Sequence, residues 1–174
     1  MSENYKLKFT IDTCLVNVRK NLAAMNVLEQ WHSEGKLELV GAQRFKTEVS
    51  KHPFQPEADI KAASITNISE PCVWGIGEWG HSKWGAEGDF PTFQDLASVL
   101  FPTLGWQNLT LNQTNDVMHL MGHVGSDSFA FLTNNTKDFI VDGRQETLKA
   151  THQIIVMTPD EAVEYVTSLL NPTD

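Results

Sequence analysis

The chain has 174 residues and a formal net charge of −9 at pH 7, from 13 basic and 22 acidic side chains. A chain of this length can bury a hydrophobic core without a disulfide or a structural metal, so we expect a single domain over residues 1–174. The negative surface repels phosphate backbones, which argues against a protein that grips nucleic acid by charge alone. No apolar run has signal-peptide or membrane-spanning length, which predicts a soluble, cytoplasmic protein with no membrane contact.

The N-terminal part of the chain predicts two successive strand–helix units. Apolar runs and helical spacing place strand, helix, strand and helix at residues 7–12, 16–34, 36–40 and 43–51. The first strand ends on Asp12, although a strand buried on both faces has no use for a carboxylate. Asp12 therefore belongs either at a rim that water or a cation can reach, or at the cap of the next helix. Cys14, in the same apolar run, is predicted to be a small core residue.

Residues 51–110 break this alternation. They hold five of the seven prolines and four of the five tryptophans, namely Trp74, Trp79, Trp84 and Trp106. We interpret the segment as an ordered insertion, because disordered segments are poor in aromatic residues. Within it, residues 91–101 predict a helix with a capping box formed by Thr92 and Asp95. Three interpretations of the tryptophans remain open: a satellite core, a platform that stacks unpaired bases, and a contact surface for another subunit.

The last third of the chain resumes the alternation. Its pattern predicts helix, strand, helix, strand and a final helix at residues 114–124, 128–133, 143–152, 154–157 and 158–170. Both strands are almost wholly apolar, as in strands that are covered on two faces. Alternating strands and helices of these lengths predict an α/β fold, a three-layer α/β/α sandwich around a mostly parallel central sheet.

Polar residues from separate parts of the chain fall at one edge of this predicted sheet. In an open parallel sheet, sites gather outside the carboxyl ends of the strands. The residues expected at that edge are Asp12, Glu48, Asp116, Asn135 and Asp138. Each acid also has a local interpretation, since Asp12 could cap a helix, Glu48 could be a solvated helix residue and Asp116 could favour its helix dipole. Their joint placement is what favours a shared site.

These segments resemble the motifs of the PIN-domain nucleases. The stretch IDTCLV is similar to that family's opening Asp-Thr-Asn strand motif, FKTEV to its second acidic position and NDVMHLMGH to its third. The stretch DSFAFLTNNTKDF is similar to its apolar strand and the following Thr-x-Asp loop, and IIVMTPDEAVEYV to its closing strand and helix. The resemblance covers both ends of the chain and leaves residues 51–110 as an insertion.

The resemblance implies an endoribonuclease that depends on Mg²⁺ or Mn²⁺ and hydrolyses RNA phosphodiester bonds, either toxin-like or RNA-processing. It implies that Asp12, Glu48 and Asp116 are catalytic and hold the metal, with a lesser role for Asn135 or Asp138. Substrate contacts are expected from Thr13 and Thr133, and from His119, whose position beside Asp116 on the helix would let it touch a substrate phosphate. Oxygen ligands of this kind agree with the preference of Mg²⁺. The chain departs from the family at Asn135, which stands where Thr-x-Asp has its acid, and this should weaken metal binding.

Other functions are weighed against this one. The main alternative is a catalytically weak or inactive PIN-like module that binds RNA or a protein partner through the Trp-rich insertion, and Asn135 and the negative charge favour it. His119 and His123 share a helical face with Asp116, which is a weaker indication of zinc. An aspartyl-phosphatase is disfavoured because Cys14 stands where a second Asp is needed. A homodimer also remains open.

Overall fold

The computed structural model of the protein describes residues 6–16, 22–50, 55–73, 76, 85–141 and 143–171. The strands in these parts are β1 (Leu7–Ile11), β2 (Leu37–Ala42), β3 (Thr66–Ile68), β4 (Ala130–Leu132) and β5 (Val156–Met157). The helices are α1 (Ala23–Ser33), α2 (Gln43–Val49), α3 (Gln55–Ala63), α4 (Asp89–Leu100), α5 (Leu111–Val124), α6 (Arg144–His152) and α7 (Pro159–Leu170). None of these helices is long and apolar enough to cross a membrane.

The five strands of the described chain form one parallel sheet in the order β3-β2-β1-β4-β5. The central strand β1 pairs with β2 on one side, Ile11 opposite Gly41, and with β4 on the other, Ile11 opposite Leu132. From β1 the strand order runs through β2 to β3 on one side of the sheet, and from β4 it runs to β5 on the other side. The direction of the strand order therefore reverses between β1 and β4. Ligands of open α/β sheets bind at such a switch point, outside the carboxyl ends of the strands.

Helices cover both faces of the sheet, because successive strand residues point to opposite faces. In β4, Ala130 and Leu132 join a hydrophobic cluster that contains side chains of α1, α2, α3 and α7. Phe131 between them joins a second cluster with side chains of α4, α5 and α6. The predicted α/β fold with a parallel sheet is thus confirmed, and the arrangement is compatible with three layers.

The described parts of residues 51–110 belong to the same sheet and core. Strand β3 pairs with β2, Val40 opposite Thr66, and becomes the edge of the sheet. Helix α4 packs with α5 and α6. Trp106 is half-buried against that cluster, with its ring 5.1 Å from Phe90 in an edge-to-face contact, which supports the satellite-core interpretation for this residue. The other three tryptophans of the segment lie outside the described residues.

Three helix starts differ from the prediction, and the first is that of α1, which begins at Ala23 instead of residue 16. Helix α4 begins at Asp89, so the capping box predicted for Thr92 and Asp95 is wrong, and the Thr92 hydroxyl donates within the helix to the carbonyl of Gly88. Its buried stripe of apolar residues is nevertheless present as expected. Helix α5 begins at Leu111, earlier than predicted, because Thr110 caps it and forms an unpredicted capping box with Gln113.

Candidate functional site

An open cleft with a volume of about 460 Å³ lies at the carboxyl edge of β1 and β4. Acidic and amide side chains dominate its lining, which consists of Asp12, Thr13, Cys14, Glu48, Leu111, Asn112, Asn115, Asp116, Asn135 and Asp138. Every residue predicted from the sequence as a metal ligand is among them. The fold therefore brings these distant positions to one place, as expected from the strand ends.

Asp12 leaves β1 at the switch point, and its side chain is held by Thr133, which follows β4, and by the nearby Cys14. Its backbone N–H donates to the carbonyl of Leu132, at 2.9 Å, which continues the pairing of β1 with β4. The hydroxyl of Thr133 donates to Asp12 Oδ2 at 2.6 Å, and the Cys14 thiol donates to the same oxygen at 3.1 Å. The side chain makes no cap hydrogen bond to the following 3-10 turn. The local-cap interpretation of Asp12 is therefore wrong.

Thr133 lies buried beside Asp12, whereas a substrate contact would place it at the surface of the cleft. The residue is completely buried, and its hydroxyl donates to Asp12 and accepts the backbone N–H of Asn135 at 3.0 Å. A side chain at 0% exposure cannot reach a substrate, so the predicted substrate contact is not supported. Thr133 instead orients the carboxylate of Asp12.

We expect Thr133→Val to destabilise the protein by roughly 1.5–3 kcal/mol, because it removes a buried hydrogen bond to a charged group without changing the shape. Thr133→Ser keeps the hydroxyl and is the matched control, with an expected loss of about 1 kcal/mol for one methyl group. Urea unfolding of the two variants measures the difference. Equal losses would show that the hydroxyl contributes nothing through Asp12.

Glu48 lies on α2 in the wall of the cleft, where three side chains donate to its carboxylate. Nε2 of His119 donates to Oε2 at 2.7 Å, and the Thr13 hydroxyl donates to the same oxygen. The Nδ2 group of Asn115 donates to Oε1 at 2.8 Å. Burial alone would raise the pKa of Glu48, but the bond and charge of His119, with the other two donors, lower it to about 2. The solvated-helix interpretation of Glu48 is therefore wrong.

His119 lies behind Glu48 and is 1% exposed. Burial opposes its protonation, but the hydrogen bond to Glu48 and the charges of nearby carboxylates, Asp12 foremost, outweigh it and raise the pKa of His119. Its Nδ1 atom has no hydrogen-bond partner among the described residues. The expected contact with a substrate phosphate is not supported at this depth. His119 serves instead as the charge partner of Glu48.

His123 faces another part of the core. Its Nδ1 is hydrogen-bonded to the Thr10 hydroxyl at 2.9 Å, and burial lowers the pKa of its imidazole to about 4. Across the described ranges, no group of three or more His, Cys, Asp or Glu side chains is gathered closely enough to hold a metal. The described side chains thus form no ready metal cluster, either around the two histidines or among the acids of the cleft.

Asp116 lies in the second turn of α5 rather than the first, so the dipole interpretation is weakened. No residue in the described part of the chain donates a hydrogen bond to its carboxylate. Burial raises the pKa of Asp116, and the charges of Asp12, Asp138 and Glu48 raise it further against the opposing charge of His119, to about 8. The cleft thus holds more negative charge than its surroundings compensate.

The loop after β4 presents its acid three positions later than the family motif. Asn135 Oδ1 accepts the backbone N–H groups of Lys137 and Asp138 at 3.2 and 3.0 Å, and its Nδ2 donates to Asp138 Oδ2 at 3.2 Å. The amide oxygen of Asn135 is therefore used within the loop, and the expectation that it is a metal ligand is not supported. The guanidinium of Arg144 donates to the carbonyl of Asp138 at 2.8 Å and fixes the loop.

Cys14 is exposed at the cleft, so its prediction as a core residue is wrong. The two cysteines, both within the described residues, form no disulfide. Packing around the sulfur and the negative charge of Asp12 raise the pKa of the Cys14 thiol to about 12. A protonated thiol at neutral pH disfavours a role for Cys14 as a nucleophile.

A buried polar group behind Glu48 was missed by the sequence analysis. Arg44 forms an ion pair with Glu70, with 3.0 Å between Nε and Oε2, and its Nη1 donates to Asn115 Oδ1 at 2.7 Å. All three residues are buried. Glu70 follows β3 at the carboxyl edge, much as Asp12 follows β1. Recognition of β3 as a strand would have pointed to it.

Comparison with models of known protein families finds no match, and no curated protein matches the chain. The class that the fold and the geometry define is an α/β protein with a five-stranded parallel sheet in its described residues and an acidic cleft at the switch point.

Proposed function

We propose that the protein is a PIN-type endoribonuclease that depends on Mg²⁺ or Mn²⁺ and whose active site is the acidic cleft. The observation that carries the proposal is the convergence of Asp12, Glu48, Asp116 and Asp138 from four segments at the switch point. The order of the first three acids along the chain agrees with the family motifs quoted above. The resemblance rests on the sequence around these acids, and the cleft adds their placement at one edge of the sheet.

The donor set of the cleft suits a hard divalent cation. Mg²⁺ and Mn²⁺ prefer carboxylate oxygens, and Mg²⁺ usually takes one or two carboxylates while it keeps several waters. Asp12 and Asp116 would hold the ion, with Asp138 beside them. The raised pKa of Asp116 supports this, because uncompensated negative charge at the cleft is what a cation relieves. A bound cation would supply Lewis-acid chemistry, activating water and neutralising charge on a phosphoryl group.

The protein's own residues divide the remaining tasks. Thr133 orients Asp12, and His119 keeps Glu48 ionised. A carboxyl with a pKa of about 2 is a poor proton acceptor at neutral pH, so Glu48 acts through its fixed charge rather than as a general base. Asp116 has a raised pKa of about 8 in the metal-free cleft, and it would lose its proton when a cation binds there.

RNA cleavage tests the proposal. Purified protein should cleave a labelled single-stranded RNA in Mn²⁺, lose the activity in EDTA and regain it when Mn²⁺ is added in excess. The physical reason is that carboxylates alone repel the phosphate of the substrate, so the metal-free cleft cannot hold it. Absence of cleavage in both Mn²⁺ and Mg²⁺, together with no stabilisation of the fold by Mn²⁺, would contradict the proposal.

A binding module without catalysis is the second candidate. Two observations favour it, since the Asn135 oxygen is used within its loop and Glu48 is engaged by His119. RNA or protein binding that survives Asp12→Asn, weakens on Trp79→Ala or Trp84→Ala and is accompanied by no cleavage would support this candidate. Both tryptophans lie outside the described residues.

A further inference from the structure

We propose that Arg44 is a positioning residue for the candidate site, which acts by fixing the side chain of Asn115 against Glu48. The catalytic meaning of this role rests on the proposed function. The positioning itself concerns the geometry of buried hydrogen bonds and can be tested without any activity.

Arg44 donates four hydrogen bonds, and their acceptors are Glu70, Asn115 and Ile76. Its backbone N–H and Nε donate to the two oxygens of Glu70 at 2.6 and 3.0 Å. Its Nη1 donates to Asn115 Oδ1 at 2.7 Å, and its Nη2 donates to the carbonyl of Ile76 at 2.7 Å. The guanidinium is planar and rigid, so these bonds fix its position together. A lysine has no such fork and could not make the same set of contacts.

The bond from Arg44 decides which end of the Asn115 amide reaches Glu48. An Asn side chain can turn over, exchanging its oxygen and nitrogen with little change in shape. Arg44 can only donate, and an ionised Glu48 can only accept. With its oxygen held by Arg44, Asn115 presents Nδ2 to Glu48 Oε1, at 2.8 Å. In the opposite orientation two donors would face each other, and an amide oxygen would face a carboxylate.

This bond completes the fixation of Glu48. The oxygen Oε2 is held by His119 and Thr13, and Oε1 is held by Asn115, so both oxygens of the carboxylate have fixed partners. Loss of the Asn115 bond would free Oε1 and allow the carboxylate to turn in the cleft wall. Outer partners of this kind typically change metal affinity or activity by about 10–100-fold when they are removed.

Arg44→Lys tests the inference, because it keeps a positive charge beside Glu70 and removes the fork that reaches Asn115. The direct measurement is hydrogen exchange of the Asn115 side-chain amide by NMR, with the resonance assigned from its absence in Asn115→Ala. We expect at least about tenfold faster exchange, and a kcat for RNA cleavage lowered about tenfold or more with KM nearly unchanged. Thr133→Val is the matched control for lost stability, since it removes a buried hydrogen bond to Asp12 and leaves the bond between Arg44 and Asn115 in place, so the Asn115 amide should exchange at the wild-type rate.

If the ion pair between Arg44 and Glu70 only stabilised the fold, the two variants would give a different pattern of stability and amide exchange. Both variants would then lower stability, and neither would alter the exchange of the Asn115 amide. Folded Arg44→Lys with wild-type exchange overturns the inference. If that variant fails to fold, Arg44→Met combined with Glu70→Met removes both buried charges at once, which folds commonly tolerate. Unchanged exchange in the double variant likewise overturns it. If the wild-type protein cleaves no RNA, the proposed function fails while the exchange measurement still decides the role of Arg44.

Discussion

Asp12→Asn should reduce the rate of RNA cleavage in Mn²⁺ on the order of a thousandfold, because it removes the central negative charge of the proposed active site. The substitution preserves shape, and an amide oxygen can still accept the hydroxyl of Thr133, so the fold should remain intact. Single-turnover cleavage of a labelled RNA by equal amounts of folded wild-type and variant protein measures the effect.

Asp127→Asn is the matched control for this variant. Asp127 precedes β4 and lies exposed, toward the edge of the sheet opposite the cleft. Its φ of 52° is in the left-handed region, which asparagine tolerates well. The same chemical change there should leave cleavage within about twofold of wild type, since a single exposed charge is screened by salt. Equal rates for the two variants would mean that Asp12 has no part in the chemistry.

Asp116→Asn should have opposite effects on the metal-free and the metal-bound protein. The native pKa of Asp116 is about 8, above the ordinary value of 3.8, so the folded state holds the proton more tightly than the unfolded chain. This carboxyl therefore favours folding most below pH 3.8, and that advantage is lost as the pH rises through about 8. Asparagine does not ionise. We expect the variant to be more stable than wild type at pH 8 by roughly 1 kcal/mol or more in EDTA.

The Asp116→Asn variant, which should be more stable than wild type without metal, should also lose the stabilisation that Mn²⁺ gives the wild-type protein. Mn²⁺ should stabilise the wild-type protein more strongly at pH 8 than at pH 6, because a cation competes with the proton for Asp116. The variant should show little stabilisation at either pH. Urea unfolding of both proteins, with EDTA and with Mn²⁺ at the two pH values, measures these differences in the free energy of unfolding. A variant that gains as much from Mn²⁺ as wild type would remove Asp116 from the site.

The position of the site was predictable because it depends on strand ends. Asp12 ends an apolar strand, and an ionised carboxylate cannot sit in the middle of a doubly covered sheet. Strand β3 escaped prediction because Thr66–Ile68 is short and contains no alternating pattern. The residues that depend on it, above all Glu70, were missed for the same reason. A capping box at Thr110 likewise moved the start of α5.

The roles of the site residues were harder to predict than their location. Periodicity places Asn115, Asp116 and His119 on one side of α5, but it does not say how deep each side chain lies. The fold buries His119 and leaves Asp116 half-buried at the cleft, and that depth decides which of them can meet a ligand. Thr133 illustrates the same limit, because the sequence does not tell whether a hydroxyl next to a strand end faces solvent or Asp12. Such distinctions come from packing between distant segments.

Anomalous diffraction from crystals soaked in Mn²⁺ tests the central claim most directly. We expect a manganese peak between the carboxylates of Asp12 and Asp116, and no peak there in crystals of Asp12→Asn. A cleft that stays empty in Mn²⁺, or manganese bound only at other acidic residues of the surface, would contradict it.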